Sequence, residues 1–145
     1  MNYQLRPVTD ADRAWLFALK RTVMADYVAQ TWGEWDNVWQ QVRFDTMFSS
    51  QERKIIVADG HDAGHVHVER LPTEVHFGII ELLPEFQRRG LGTRILRTLQ
   101  AEAEARRRSI RLQVLRVNPA HRFFTGLGFK LTGENATHYH LRWPE

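Results

Sequence analysis

The stretch PEFQRRGLGTRIL, residues 84–96, limits the possible folds of this chain more than any other feature. The apolar segment before it, from Val75 to Leu83, predicts a buried strand. Apolar residues after it recur at the spacing of one helical face: Leu91, Ile95, Leu96, Leu99 and Ala103. This helix reaches about Arg107, and the strand IRLQVLRV follows it. Strand, helix and strand in this order predict a right-handed crossover between parallel strands.

Shorter patterns predict the remaining elements. A strand at YQLRPV leads into a helix capped by Thr9, and a second helix covers Trp35 to Phe48. The strands KIIVAD and AGHVHVERL are joined by an Asp59-Gly60 turn. A short helix from Asn118 to Leu127 precedes the strands FKLTGE and THYHLRW. The order β-α-α-β-β-β-α-β-α-β-β predicts an α/β fold, with a mixed sheet and helices on both faces, in a single domain over residues 1–145.

Composition narrows the function classes. Hydrophobic residues make up 43% of the chain and charged residues 26%, as in folded globular proteins. No apolar run approaches the length that a bilayer requires, and the N-terminus lacks a signal-peptide core, so we expect a cytoplasmic protein with no membrane partner. The absence of cysteine excludes disulfides and thiolate chemistry. A net charge of +3 and one basic run, Arg106 to Arg108, are weak signals, and no nucleic-acid partner is expected.

The glycine turn before the long helix suits an anion. Backbone N–H groups at a helix start lack intrahelical partners, and the helix dipole adds positive potential there. Gly90 and Gly92 allow close approach, while Arg88 and Arg89 add charge. A Walker loop is excluded because no Gly-Lys-Ser or Gly-Lys-Thr follows, and the third glycine of a dinucleotide fingerprint is missing. An ordinary strand-to-helix turn with an arginine-rich surface explains these residues equally well.

Three linked segments carry a family resemblance. QRRGLG at 87–92 resembles the Arg/Gln-x-x-Gly-x-Gly/Ala signature of the GNAT N-acetyltransferase superfamily, and LLPEF before it resembles that family's Val-x-Pro-Glu-Tyr approach. NPAHRFFTGLGF, 118–129, is similar to the family's second conserved region, Asn-x-x-Ala followed by Tyr and Gly-Phe. The element order also agrees, and WGEWD at 32–36 fits one bacterial branch. The resemblance therefore covers nearly the whole chain.

The resemblance implies an enzyme that moves an acetyl group from acetyl-CoA to the amine of a small molecule or peptide. It implies a mostly antiparallel sheet of about seven strands, splayed between the two central parallel strands, and a possible homodimer. Asn118 also suits a helix N-cap, and the two roles are compatible. The residues that the resemblance assigns to acetyl-CoA are Leu82, Leu83, Gln87, Arg88, Arg89, Gly90, Leu91, Gly92, Thr93, Asn118, Phe123 and Phe124.

Two residues on the strand before the turn are candidates for the general base. His76 falls where several family members place a Glu or His base, although a surface histidine at a strand start is an equally good explanation. Glu81 lies on the same strand but, by alternation, on the opposite face. It could instead pair with an arginine or with the indole of Trp32 or Trp35. Water is the remaining alternative.

The general acid is where the chain departs from the family pattern. Phe124 stands where many members carry a tyrosine that protonates the departing thiolate. Water, Tyr139 or Thr125 would then supply this proton, and Tyr139 is our candidate. The same departure supports a different class of function, a catalytically weak CoA-binding regulatory module.

The first two helices are expected to cover the acceptor, with Tyr27, Trp32, Trp35 and Asp36 as candidate contacts, because aromatic and acidic groups suit an amine. The tryptophans also suit a buried helical face, which we favour for Trp39, and Asp36 equally suits a helix start.

Five histidines recur on two predicted strands: His61, His65, His67, His138 and His140. No acidic residue at ligand spacing completes a metal site, and the family needs none, so we interpret these residues as surface or pocket histidines and expect no metal.

Overall fold

The computed structural model describes residues 1–49 and 52–144. Its elements follow the predicted order: β1 Tyr3–Pro7, α1 Arg13–Trp32, α2 Asn37–Met47, β2 Arg53–Ala58, β3 His61–Arg70, β4 Glu74–Leu82, α3 Leu91–Ala105, β5 Ser109–Leu115, α4 Ala120–Gly126, β6 Lys130–Glu134 and β7 His138–Trp143. Over these residues, no helix combines the length and the apolar character needed to cross a membrane.

The element boundaries differ from the predicted ones by only a few residues. α2 begins after Asp36, whose carboxylate accepts the Trp39 N–H at 3.1 Å and caps the helix, so Trp35 lies outside it. Asp59 and Gly60 both have positive φ, 48° and 81°, which makes the β2–β3 connection the predicted tight hairpin turn.

The strands form a seven-stranded sheet in the order β1-β2-β3-β4-β5-β7-β6. The pairs β1–β2, β2–β3, β5–β7 and β6–β7 are antiparallel, whereas β4 and β5 are parallel. The parallel register joins Glu74–His76 to Ser109–Arg111, although β4 continues to Leu82 and β5 to Leu115. The predicted mixed, mostly antiparallel sheet of about seven strands is therefore confirmed.

The chain divides into two compact units, of which the first comprises Met1–His67 and Ile79–Arg89. Its core is centred on Val8, Leu16 and Ile55, so α1 packs on the sheet face that carries Ile55. The rings of Phe17 and Phe44 lie 5.4 Å apart and join α1 to α2.

Our prediction that Trp39 is a core residue is wrong, because this residue is 55% exposed. α2 is held to the core by Phe44 instead, and the Trp39 ring lies under the Arg43 guanidinium, whose Cζ is 5.5 Å from the ring centroid.

The second unit comprises Val68–Gly78 and Gly90–Glu145. The inner face of α3 is the predicted one, with these residues buried: Leu91, Ile95, Leu96, Leu99 and Ala103. Gln100 is also buried, but its amide donates to the Leu127 carbonyl at 2.8 Å and accepts from Arg97. Burial of this face against the sheet supplies most of the stability of such a helix.

A charged cluster fixes the start of α1 to the first strand. Both Nη atoms of Arg6 donate to the Asp12 carboxylate, at 3.0 and 2.9 Å, and Asp12 also accepts the Thr9 N–H at 2.9 Å. The hydrogen bond from Arg6 is the main reason that the pKa of Asp12 is lowered to about 2. Arg6 also binds Asp62 at the start of β3.

Replacing Asp12 by asparagine should remove one part of the pH dependence of stability. A carboxyl group whose pKa is lower when folded stabilises the fold above its unfolded pKa of about 3.9, and this contribution is lost as the pH falls toward the folded value. We expect the parent's free energy of unfolding to decrease between about pH 4 and pH 2 by more than that of Asp12→Asn, measured by urea denaturation. Asp10→Asn removes a carboxylate that is 95% exposed and should behave like the parent.

Candidate functional site

The turn before α3 has the backbone of an anion site. Gly90 is the N-cap of α3 with φ 82°, and a Cβ at this position would meet open space. Arg88, two residues earlier, also has a positive φ of 60°. These two left-handed residues turn the chain sharply out of the sheet and into the helix.

The backbone N–H groups of residues 88–93 have no acceptor among the residues that the structure describes. The first hydrogen bond of α3 is donated by Arg94 to the Gly90 carbonyl at 3.0 Å. Arg88 and Arg89 are exposed, and Arg89 stacks over the Phe86 ring with its Cζ 5.9 Å from the centroid. Unpaired amides, a helix start and exposed guanidinium groups are together suited to a phosphate group.

Gly92 is the second glycine of the turn and serves packing. A Cβ there would lie 3.3 Å from Cζ of Phe123. The missing side chain therefore lets the Phe123 ring of α4 approach the first turn of α3.

The end of β4 uses its backbone groups locally. The Gln87 amide donates to the Leu82 carbonyl at 2.9 Å, and the Leu83 N–H donates to the Ala63 carbonyl at 2.8 Å. Gln87 thereby ties the turn to the strand that precedes it.

Asn118 closes the turn before α4, but the N-cap of that helix is Pro119 and not Asn118 as predicted. Its side-chain oxygen accepts the Ala120 N–H at 2.9 Å, and its carbonyl accepts from the His121 ring at 3.0 Å.

Phe124 on α4 is only 5% exposed and packs against three rings: Phe77, Phe123 and Phe129.

A buried ionisable pair lies in the first unit. Glu81 on β4 and His65 on β3 are each 3% exposed, and His65 Nε2 is 2.7 Å from Glu81 Oε1. Arg53 on β2 completes the chain of contacts, with its Nη1 2.9 Å from His65 Nδ1. His65 is the register partner of Ile55, so the group lies on the sheet face that α1 covers.

The hydrogen-bond pattern fixes the state of His65. A guanidinium can only donate, so Nδ1 accepts from Arg53 and carries no proton. Nε2 must then carry the proton and donate it to Glu81 Oε1. The other carboxylate oxygen, Oε2, is buried and has no hydrogen-bond partner in the described residues.

Two cations near Glu81 are partly removed from water. Burial lowers the pKa of Lys20 in α1 and of Arg53, and attraction to the Glu81 carboxylate opposes this in both. Arg53 also donates to the Ser49 carbonyl at 3.2 Å and stacks on Phe48.

The other two candidate catalytic residues lie in the second unit. His76 is half-buried and pairs with Arg111 in the parallel ladder. Tyr139 is half-buried on β7, 5.3 Å from the His121 ring and beneath the Arg116 guanidinium. Its hydroxyl has no hydrogen-bond partner among the described residues.

The candidate acceptor contacts have mixed surroundings. Trp32 is 62% exposed. Trp35 is half-buried, with its ring 6.1 Å from Phe17 and its indole N–H donating to Asn37 at 3.1 Å. Tyr27 is half-buried on α1, and Asp36 caps α2, which is the alternative role that its position in the sequence suggests.

Comparison with known proteins identifies the family. The model of the acetyltransferase (GNAT) domain matches residues 23–144. The chain belongs to the GNAT acetyltransferase family. No curated protein gives a significant sequence match.

Solved GNAT structures share the fold over the whole chain. The PaiA N-acetyltransferase of Thermoplasma acidophilum in complex with coenzyme A has a TM-score of 0.74 at 15% identity, covering 98% of each chain. An acetyltransferase of Thermus thermophilus has a TM-score of 0.75 at 21% identity, covering 100% of this chain and 98% of its own. Arabidopsis thaliana Naa50, in complex with the bisubstrate analogue CoA-Ac-MVNAL, has a TM-score of 0.65 at 16% identity, covering both chains fully.

Sequence reasoning about this GNAT chain missed the partner of Glu81. The expected partners were an arginine or a tryptophan indole, whereas the structure supplies His65, which we interpreted as an ordinary surface or pocket histidine. The two residues are 16 positions apart, and only the pairing of strands brings them together. In the described residues, no group of three or more metal-binding side chains is found.

Proposed function

We propose that this GNAT protein is an N-acetyltransferase that moves the acetyl group of acetyl-CoA to the amine of a small molecule or peptide, by direct attack in a ternary complex. The run of unpaired backbone N–H groups at residues 88–93 carries this proposal. Such a run, beside Arg88 and Arg89, fits the pyrophosphate of CoA. The Thermoplasma relative bound to coenzyme A supports the same ligand. We assign the activity to residues 1–145 as one catalytic domain.

The remaining contacts to acetyl-CoA are proposed from the GNAT resemblance and fit the surroundings of these residues. Amides of Arg88 to Thr93 would hold the pyrophosphate, and the backbone at Leu82 and Leu83 would pair with the pantetheine arm. The Leu82 carbonyl already accepts from Gln87 and keeps a second lone pair for this pairing. The NH₂ group of Asn118 makes no hydrogen bond to the described residues and would donate to pantetheine. Phe123 and Phe124 would supply an apolar surface near that arm.

Glu81 is our choice for the general base. The amine nitrogen attacks the thioester carbonyl carbon, forming the C–N bond, and its proton passes to Glu81 Oε2. The C–S bond then breaks, and the thiolate takes a proton to give free CoA and the amide. Oε2 suits this role because it is a buried acceptor with no donor of its own, on the residue next to Leu82. Since water does not reach this oxygen, acceptor binding must move the side chains around it. His76 is the second candidate.

Tyr139 is our choice for the proton donor to the thiolate. Phe124 has no proton to give, and its ring is fixed in the aromatic cluster. The Thr125 hydroxyl already donates to the Arg122 carbonyl at 3.1 Å, whereas the Tyr139 hydroxyl has no such contact. For the acceptor we propose contacts to Tyr27, Trp32, Trp35 and Asp36.

The function is tested by CoA binding and acetyl transfer measured together. We expect CoA to bind in calorimetry, and free thiol to appear from acetyl-CoA when peptides with free N-termini or small primary amines are added. Because the chain has no cysteine, a disulfide dye reports only the CoA thiol. Binding without thiol release for any amine would instead support the regulatory CoA-binding module.

The arginines of the turn provide the matched variants. Arg88→Ala with Arg89→Ala should weaken CoA binding roughly tenfold or more, since hydrogen bonds to charged groups contribute about 1.5–3 kcal/mol. Arg106→Ala with Arg107→Ala removes two other exposed arginines and should leave binding unchanged. Equal affinities for the two double variants would contradict the assignment of the turn.

A further inference from the structure

We propose that His65 is a positioning residue for the acetyl transfer, locked by Arg53 so that it holds one oxygen of Glu81 and leaves the other for the acceptor amine. This inference rests on the proposed function, in which Glu81 receives the proton of the amine. It concerns three residues of the first unit that follow one another through hydrogen bonds: Arg53, His65 and Glu81.

The direction of the hydrogen bonds determines the tautomer of His65. A neutral histidine has two tautomers, and the bond that one ring nitrogen makes determines where the other carries its proton. Arg53 Nη1 donates to Nδ1 at 2.9 Å, so Nε2–H is the tautomer present. With Nδ1 occupied by a donor, the doubly protonated ring is also excluded. His65 can therefore only donate to Glu81.

The hydrogen bond from His65 restricts the Glu81 carboxylate. At 2.7 Å, the Nε2–H bond to Oε1 is short, as expected for a bond to a charged acceptor. Both side chains are almost fully buried, with 3% and 2% of their surface exposed, so their rotamers are fixed by packing. The bond prevents rotation of the carboxylate and orients Oε2, which is buried without a partner. A fixed base within hydrogen-bond reach is what general base catalysis requires.

This arrangement of the Glu81 carboxylate costs free energy. A buried acceptor left without a donor destabilises a protein, and buried polar groups are almost always paired. An unpaired carboxylate oxygen, on a residue held by the buried His65 that is itself held by the half-buried Arg53, is therefore a feature that packing alone does not favour. A bound amine supplies the missing donor.

The experiment compares His65→Phe, His65→Gln and Glu81→Gln with the parent. His65→Phe removes the donor and should lower kcat at least tenfold, with the KM for acetyl-CoA within about threefold of the parent. His65→Gln keeps an N–H donor at similar reach and should recover most of the lost kcat. His61→Gln changes an exposed histidine at the start of the same strand and should match the parent.

A spectroscopic measurement tests the tautomer of His65 without an activity assay. The ¹⁵N shifts of the imidazole, in the parent at neutral pH, should report a protonated Nε2 and an unprotonated Nδ1. Arg53→Met removes the donor to Nδ1 and should shift the Nδ1 signal, while Nε2 stays protonated against Glu81. A parent His65 with its proton on Nδ1, or on both nitrogens, overturns the inference even if His65→Phe fails to fold.

The outcomes separate this inference from the proposed function. If the parent transfers acetyl groups and Glu81→Gln is impaired while His65→Phe equals the parent, the positioning role is wrong and the function stands. If the parent transfers nothing, the proposed function fails first. An impaired His65→Phe that His65→Gln does not recover also counts against the inference, because the lost activity would then come from altered packing.

Discussion

Replacing Gly64 by alanine is expected to lower the free energy of unfolding by about 3 kcal/mol or more, at the upper end of the range for overpacked sites. A Cβ at this position would collide with the Glu81 carbonyl oxygen and lie 2.9 Å from Cδ2 of Leu82. The Glu81 carbonyl carbon would be 3.0 Å away. The nearest obstacle is strand backbone, which cannot rotate aside like a side chain, so β3 and β4 must separate locally.

Urea denaturation followed by tryptophan fluorescence measures this loss. Gly133→Ala is the matched control, because Gly133 also lies in a strand and nothing is within 4 Å of the added Cβ. We expect that control to stay within about 0.5 kcal/mol of the parent. A Gly64→Ala protein as stable as Gly133→Ala would show that β3 and β4 leave room for a Cβ between Gly64 and the Glu81 carbonyl.

The order of elements could be predicted because each one leaves a local pattern. The apolar face of α3 follows from a single periodicity, and all five residues predicted to form it are buried. The Asp59-Gly60 turn follows from two residues that tolerate positive φ. Trp39 shows the limit of such patterns, since the spacing of apolar residues on α2 does not reveal which side faces the core. Phe44 and Phe48 determine that side through contacts with distant residues.

The candidate site also has one part that the sequence reveals and one part that it does not. The turn at residues 88–93 is contiguous in sequence, so its glycines and its exposed arginines could be recognised in advance. The Arg53–His65–Glu81 group draws one residue from each of three strands, and it depends on register as well as on strand order. A one-residue shift would place His65 on the opposite face. Sequence alone does not determine that register. Nothing in the sequence distinguished His65, as the partner of Glu81, from the other histidines.

Glu81→Gln is expected to lower kcat by about 10²- to 10⁴-fold, the usual contribution of a general base. The amide matches the carboxylate in shape and still accepts from His65, but its nitrogen cannot take a proton from the amine. The KM for acetyl-CoA should change less than about threefold, because the lost interaction develops only as the C–N bond forms. Residual turnover should rise with pH, since free amine and hydroxide then replace the missing base.

Two comparisons make this result specific to Glu81. Glu85→Gln neutralises an exposed carboxylate four residues further along and should keep the kcat of the parent. Urea denaturation of Glu81→Gln is measured alongside activity, because the change removes a buried charge with an unpaired oxygen and also the attraction of that charge for Lys20 and Arg53. A stable Glu81→Gln protein with full activity would transfer the role to His76 or water, and His76→Ala would then separate these two. Loss of activity in a stable Glu81→Gln protein would identify Oε2 of Glu81 as the atom that takes the proton.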